Sequence, residues 1–202
     1  MGAVEIIGLA ASVSLLSGWR LYLTVLAVGL AMRTGWLALP DQLASLAVLA
    51  NPLVICIAGV GALAEFLADK VMWIDSLWDG VHTLVRPVGG ALLALALVDP
   101  ADPAWQVAVV LLGGGATLLT HAAKAGTRAV VNASPEPVSN FLVSSGEDIV
   151  TGGLLALAIA YPVAAAGIAA VLLIGAVLLL LAMRRLLARL LRRAGPRPAA
   201  RR

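Results

Sequence analysis

The sequence predicts an all-α, polytopic membrane helix bundle of about six transmembrane helices, and three observations carry that expectation. Of 202 residues, 61% are hydrophobic and only 12% are charged, whereas soluble domains are about one quarter charged. The mean hydropathy is +1.01. The apolar residues also gather into six stretches, each near the roughly 20 residues needed to cross a bilayer. No polar linker separates two folded units, so residues 1–183 read as one transmembrane domain and 184–202 as a basic tail.

The first stretch, about 4–32, is interrupted by SGWR at Ser17 to Arg20. Serine and glycine beside an intramembrane arginine predict a break or a close helix contact, and Arg20 then needs an acidic partner or water. The N-terminus carries Glu5 and lacks a basic region, so no cleavable signal peptide is expected. The loop RTGWLALPDQ places Trp36 where an interfacial anchor would sit. The second stretch spans about 48–70 and holds the single cysteine, Cys56, which has no disulfide partner in the chain. The third, about 74–98, ends at DPADP.

The fourth stretch, about 104–130, leads into NASPEPVSN. There Pro135 and Pro137 stiffen a turn, and Ser134 or Ser139 is placed to cap the fifth stretch, about 138–160. Tyr161 and Pro162 close it. The sixth stretch, about 163–183, continues into RRLLARLLRR.

Eight of the fourteen basic residues are arginines between Arg184 and Arg202, so the net charge of +3 conceals a remainder of about −5. Next to an apolar helix such a tail sets orientation and meets anionic lipid headgroups; nucleic acid is not the expected partner. Six crossings would put both termini on the cytoplasmic side of a bacterial inner membrane, with Lys70, Arg128 and the tail. Only Arg33 would lie opposite, with Asp41, Asp99 and Asp102. The Asn132 sequon would then be cytoplasmic and unglycosylated. Two weakly repeated helical hairpins are also expected: GVGALAEFLADK at 59–70 resembles LGGGATLLTHAAK at 112–124, and GGALLALAL at 89–97 echoes GGLLALAI at 152–159.

The candidate chemistry lies in three polar stripes. On a helix Asp75, Asp79, His82 and Arg86 fall within about 60° of one another. Thr117, His121, Lys124, Arg128 and Asn132 form a second stripe, and Asn140, Ser144, Glu147 and Thr151, with Asp148 beside them, a third. In lipid such faces must turn toward each other or toward water. They predict an inward-facing polar vestibule that reaches from the cytoplasmic surface to about mid-bilayer. Glycine-rich halves such as 89–97 and 152–159 would close it on the other side. Glu65, Asp69, Lys70, Glu136 and Arg20 join the region, giving about −2 with both histidines neutral. Such near-balance fits a self-neutralising network or a proton-coupled site, with His82 and His121 as the titrating groups.

Other readings compete. Asp75, Asp79 and His82 are spaced to share a metal from one helix face, though Arg86, Lys124 and Arg128 would repel a cation. Arg20, Arg86, Lys124 and Arg128 would suit an anion or a phosphate headgroup, and a membrane enzyme would add a His or Asp as nucleophile or base. Purely structural ion pairs are the third reading. No sequence feature calls for a cofactor. Trp73 and Trp78 are read as interfacial anchors in preference to vestibule walls.

The motifs SGWRLYLTVLAVGL, EFLADKVMWIDSLWDGVHTLVRPVGGALLALA and NASPEPVSNFLVSSGEDIV together resemble the bacterial membrane family catalogued as domain of unknown function 4126, over roughly residues 3–165. That resemblance implies a multi-spanning fold and supplies no substrate. From the residues themselves the leading expectation is a small transporter or channel-like protein for an ion or small charged solute. A second protomer would thicken the thin wall that six short helices give.

Overall fold

A computed structural model describes residues 2–37, 47–98, 101–132 and 137–194. Among these the chain forms seven α-helices, a short 3₁₀ helix at 47–50 and no strand: α1 Ala3–Trp19, α2 Leu21–Arg33, α3 Pro52–Ala68, α4 Met72–Val98, α5 Pro103–Asn132, α6 Pro137–Ala160 and α7 Pro162–Ala194. Local signals account for several starts. Glu5 accepts a hydrogen bond from the Gly2 amide at 2.8 Å, and Asn51 caps α3 by accepting from the Leu53 amide at 2.8 Å ahead of Pro52. Asp102 caps α5 through the Ala104 amide at 2.7 Å.

Among the described residues four segments are long and apolar enough to cross a membrane: Met72–Val98, Pro103–Asn132, Val138–Ala160 and Val163–Arg189. The bundle is apolar outside and charged inside. Leu84, Leu112 and Ile149 are more than 70% exposed, whereas Asp69, Asp75 and Arg86 are at 0%. Water would reverse that partition; hydrocarbon favours it.

The first stretch differs from the sequence expectation. It is not one helix but two short helices that fold back at Arg20, and side-chain neighbours fix their directions. Gly8 lies against Ala166 at the start of α7, while Gly18 lies against Thr117 and Thr120 of α5, so α1 runs parallel to α5 and α7. Tyr22 then meets Gly61, Leu26 approaches Gly59, and Arg33 donates to the Ala50 carbonyl at 3.3 Å. α2 therefore runs antiparallel to α3, back toward the end from which α1 came. Helices of 17 and 13 residues extend only about 25 and 20 Å, so the pair enters from one end and turns within the bundle.

That end, with the α6–α7 turn at Tyr161, is called the upper end, and the α3–α4 turn at Asp69 to Val71 marks the lower. The start of α1 and the end of α7 consequently lie at opposite ends of the bundle, where the six-crossing reading put both termini on one side. SGWR signalled the break correctly but not its angle.

An apolar core fills the upper half. Leu9, Val13 and Leu16 of α1 pack with Val28 of α2, Leu97 of α4, Leu155 of α6 and Ile168 of α7. Tight closure above the polar region comes from Gly90, where a Cβ would come within 1.8 Å of the Thr117 hydroxyl. At 152–159 closure comes from Leu155, Ala158 and Ile159, which pack into this core, and not from the glycines. Gly152 and Gly153 have no close neighbour, and Gly152 instead borders an apolar cavity of about 750 Å³ between α2 and α6, lined by Leu30, Trp36, Leu155 and Ile159 among others. α7 does not stop with its apolar stretch but carries the basic segment on to Ala194. Asp41, Asp99, Ser134, Pro135, Glu136 and the tail beyond Ala194 lie outside the described residues.

Candidate functional site

The break at Arg20 creates a chemical problem inside an apolar bundle. The last carbonyls of α1 lose their helical partners, and in hydrocarbon an unpaired backbone group is costly. Two cations and a backbone amide solve it. The Arg20 amide itself bonds back to the Leu16 carbonyl at 2.9 Å, Arg86 of α4 donates to the Gly18 carbonyl at 3.3 Å, and Lys124 of α5 donates to the Trp19 carbonyl at 3.2 Å. Positive groups also suit the negative end of the α1 dipole. Earlier carbonyls of α1 are met by hydroxyls, Thr117 on Ser14 at 2.6 Å and Thr120 on Leu15 at 2.7 Å. Gly18 permits this approach, since a Cβ there would lie 2.4 Å from the Thr117 carbonyl oxygen.

Those cations in turn organise carboxylates. Arg20 is paired with Asp69 at the end of α3, with Asp148 of α6 at 2.8 Å and with Glu147 at 3.6 Å, and it also donates to the Ser144 carbonyl at 3.2 Å. Lys124 lies 3.0 Å from Asp69 and 3.9 Å from Asp79. Arg86 bonds Glu65 of α3 at 2.6 Å and Asp79 at 3.1 Å.

Nearer the lower end, Arg128 bonds Asp75 at 3.1 Å and caps α3 through the Asp69 carbonyl at 2.5 Å. The sequon residue Asn132 donates to Asp75 at 2.6 Å, and Asn140 donates to the Asp69 carbonyl at 3.2 Å. Lys70 forms the rim, bonding Ser144 at 2.6 Å and Asp148 at 3.2 Å while lying over the Phe66 ring.

All three predicted stripes thus meet, and Arg20, Glu65 and Asp69 join them from α1 and α3. An open vestibule is not what they form. The side chains of Arg20, Glu65, Asp69, Asp75, Asp79, Arg86, His121, Lys124 and Arg128 are buried against one another; only Lys70, Glu147 and Asp148, at 14%, 17% and 22% side-chain exposure, reach the edge. Removing ions from water costs several kcal/mol each, so pairing of this completeness is what lets the cluster exist. Glu65 Oε2, Asp69 Oδ1 and Glu147 Oε2 are buried oxygens with no hydrogen-bond partner.

Two sequence readings are corrected here. Asp75, Asp79 and His82 share a stripe but not a ligand site: Asp75 turns to Arg128, Asp79 to Arg86, and His82 to Tyr22. Among the described residues no group of three or more His, Cys, Asp or Glu is placed to hold a metal ion. Trp78 also differs from Trp36 and Trp73, which are exposed. It stacks on His82 with ring centroids 4.3 Å apart. Tyr22, which the stripe reasoning missed, completes that cluster with its hydroxyl 3.1 Å from His82 Nε2; its place just after the SGWR break was the signal.

Residues 7–182 match the family described as a Domain of unknown function (DUF4126). The chain belongs to this family. No curated protein and no solved structure matches it. What the DUF4126 chain does must therefore be argued from the network itself.

Proposed function

We propose that this DUF4126 chain is a small membrane transporter or channel-like protein for an ion or small charged solute. Its pathway runs through Arg20, Glu65, Asp69, Lys70, Asp75, Asp79, His82, Arg86, His121, Lys124, Arg128, Asn132, Asn140, Glu147 and Asp148. One observation carries the reading: a helix broken inside the bundle, with its tip residue Arg20 held by carboxylates from two other helices. Broken helices at membrane depth are tolerated where they line a pathway or are buried in protein, and their exposed ends serve as ion and substrate sites in secondary transporters.

In this account the paired network is the closed state. A charged solute enters by exchanging for one of its own ion pairs, from the rim formed by Lys70, Glu147 and Asp148. Arg184, Arg185 and Arg189 near the end of α7 support a reading in which that rim faces the cytoplasm from the inner membrane and the basic segment meets anionic lipid.

Flux through proteoliposomes tests the proposal. Arg20→Gln and Asp79→Asn, reconstituted as folded protein, abolish uptake of the transported ion if it holds. Undiminished flux in both variants, or a loss of thermal stability with flux intact, assigns the ion pairs a structural role and overturns it.

A further inference from the structure

Six carboxylates and five cations make up the ion-pair network, so with neutral histidines it carries one surplus negative charge. Its location can be read from the pairing. Around the lower end Asp69, Asp75, Glu147 and Asp148 face Arg20, Lys70, Lys124 and Arg128, four against four. Deeper in the bundle Glu65 and Asp79 share Arg86, with Lys124 only at 3.9 Å. The surplus therefore sits beside Arg86, where both histidines also lie.

The two histidines differ in what their hydrogen bonds allow. A guanidinium only donates, and Arg86 approaches His121 Nδ1 at 2.6 Å, so that nitrogen has to be a bare acceptor. His121 Nε2 then carries the hydrogen and donates to Thr83 at 3.0 Å, and Thr83 passes its own hydrogen to the Asp79 carbonyl at 2.9 Å. This bonding is complete and fixes His121 as neutral; adding a proton would set an N–H against the Arg86 N–H.

His82 is held differently. Its Nδ1 faces the Trp78 carbonyl at 2.8 Å, which only accepts, so Nδ1 carries the hydrogen. Its Nε2 faces the Tyr22 hydroxyl at 3.1 Å, a group that can donate or, by rotating, accept. The groups around His82 are Tyr22 of α2, Glu65 of α3, and Trp78, Asp79 and Arg86 of α4, with His121 of α5 beyond Arg86. Glu65 is fully buried and keeps one oxygen, Oε2, without a hydrogen-bond partner.

We propose that His82 Nε2 is the proton-binding site of this network, taking one proton per chain and bringing the buried charge to zero. The step is a simple association: the Nε2 lone pair accepts a proton from hydronium, which leaves as water, imidazole becomes imidazolium, and the Tyr22 hydroxyl turns to accept from the new N–H. Burial and the neighbouring Arg86 guanidinium oppose the charge on the ring, and Glu65 and Asp79 favour it. As the coupling site of the transporter this inference rests on the function proposed above, but its test needs neither gradient nor solute, so the two can fail separately.

The experiment is a pH titration from 5 to 8 of the full chain in lipid nanodiscs, labelled with ¹⁵N-histidine and assigned with His82→Gln and His121→Gln. The chain has two histidines, so the spectrum is simple. His82 is expected to pass to imidazolium across this range while His121 keeps its neutral Nε2–H form. Glu65→Gln, which removes the surplus charge, is expected to lower the His82 proton affinity by about tenfold, a change of about 1.4 kcal/mol. Tyr22→Phe, which keeps the ring and removes the acceptor, lowers it in the same direction. A His82 resonance that stays neutral to pH 5 overturns the proposal, as does titration of His121 in its place; if a variant does not fold, the Nδ1–H form of His82 and the Nε2–H form of His121 tell the two rings apart in the parent protein.

Discussion

Replacing Arg20 with glutamine probes the hairpin tip most sharply, because its partners are not equally dependent on it. Asp69 retains Lys124 at 3.0 Å and Asp148 retains Lys70 at 3.2 Å. Glu147, by contrast, has Arg20 as its one ion-pair partner among the described residues, at 3.6 Å. Stranding a buried charge costs about 3–5 kcal/mol; Glu147 keeps 17% of its side chain exposed and still feels Lys124 and Arg128, which places the loss at the low end, about 3 kcal/mol.

The companion Glu147→Gln removes the stranded charge. In a double-mutant cycle Arg20→Gln with Glu147→Gln should therefore be less destabilised than the sum of the single variants, by about 1–2 kcal/mol. Unfolding in mixed detergent micelles, followed by the fluorescence of the chain's tryptophans, reads both quantities. An Arg20→Gln protein within about 0.5 kcal/mol of the parent, or a cycle that closes additively, would refute the reasoning that Arg20 neutralises Glu147 in a dry site.

Glycine positions give a contrast of the opposite kind. Gly18→Ala pushes a methyl group to 2.4 Å from the Thr117 carbonyl oxygen and 2.8 Å from the His121 amide nitrogen. Backbone cannot yield there, so expression and thermal stability should collapse, and Thr120→Ala should not rescue it. Gly153→Ala meets nothing within 4 Å and should stay within about 0.5 kcal/mol of the parent. Lys124→Met leaves the Trp19 carbonyl without that donor and takes one of two cations from Asp69; a loss of about 2 kcal/mol is expected in the same unfolding assay.

Much of this architecture could be read from residues alone. α4 to α6 begin and end, and α7 begins, within a few residues of the apolar stretches, because Pro103, Pro137 and Pro162 mark starts and the stretch lengths match a bilayer. The polar stripes were legible for a related reason: at helical spacing Asp75, Asp79, His82 and Arg86 share one face, and hydrocarbon forces that face inward.

The fold-back at Arg20 was not legible. Residues 4–32 have the apolar length of one crossing, and what stabilises the turn is supplied from far along the chain by Arg86, Lys124 and Asp69. The difference between an open vestibule and a closed network was hidden for the same reason. Charge counts showed near-balance, but only the pairing shows that each cation already has a carboxylate. His82 and His121 looked equivalent as well; their roles part only through Tyr22 and Arg86, which contact them across helices.

The fold-back is the claim on which the site depends, and sidedness tests it directly. In a Cys56→Ala background, single cysteines at Ala3, Thr34 and Arg185, all exposed, are labelled with a membrane-impermeant maleimide from each side of sealed vesicles. Ala3→Cys and Thr34→Cys are expected to react from one side and Arg185→Cys from the other. Labelling of Ala3→Cys from the Arg185→Cys side, with Thr34→Cys opposite, would mean that the first stretch crosses the membrane outright and would contradict the account.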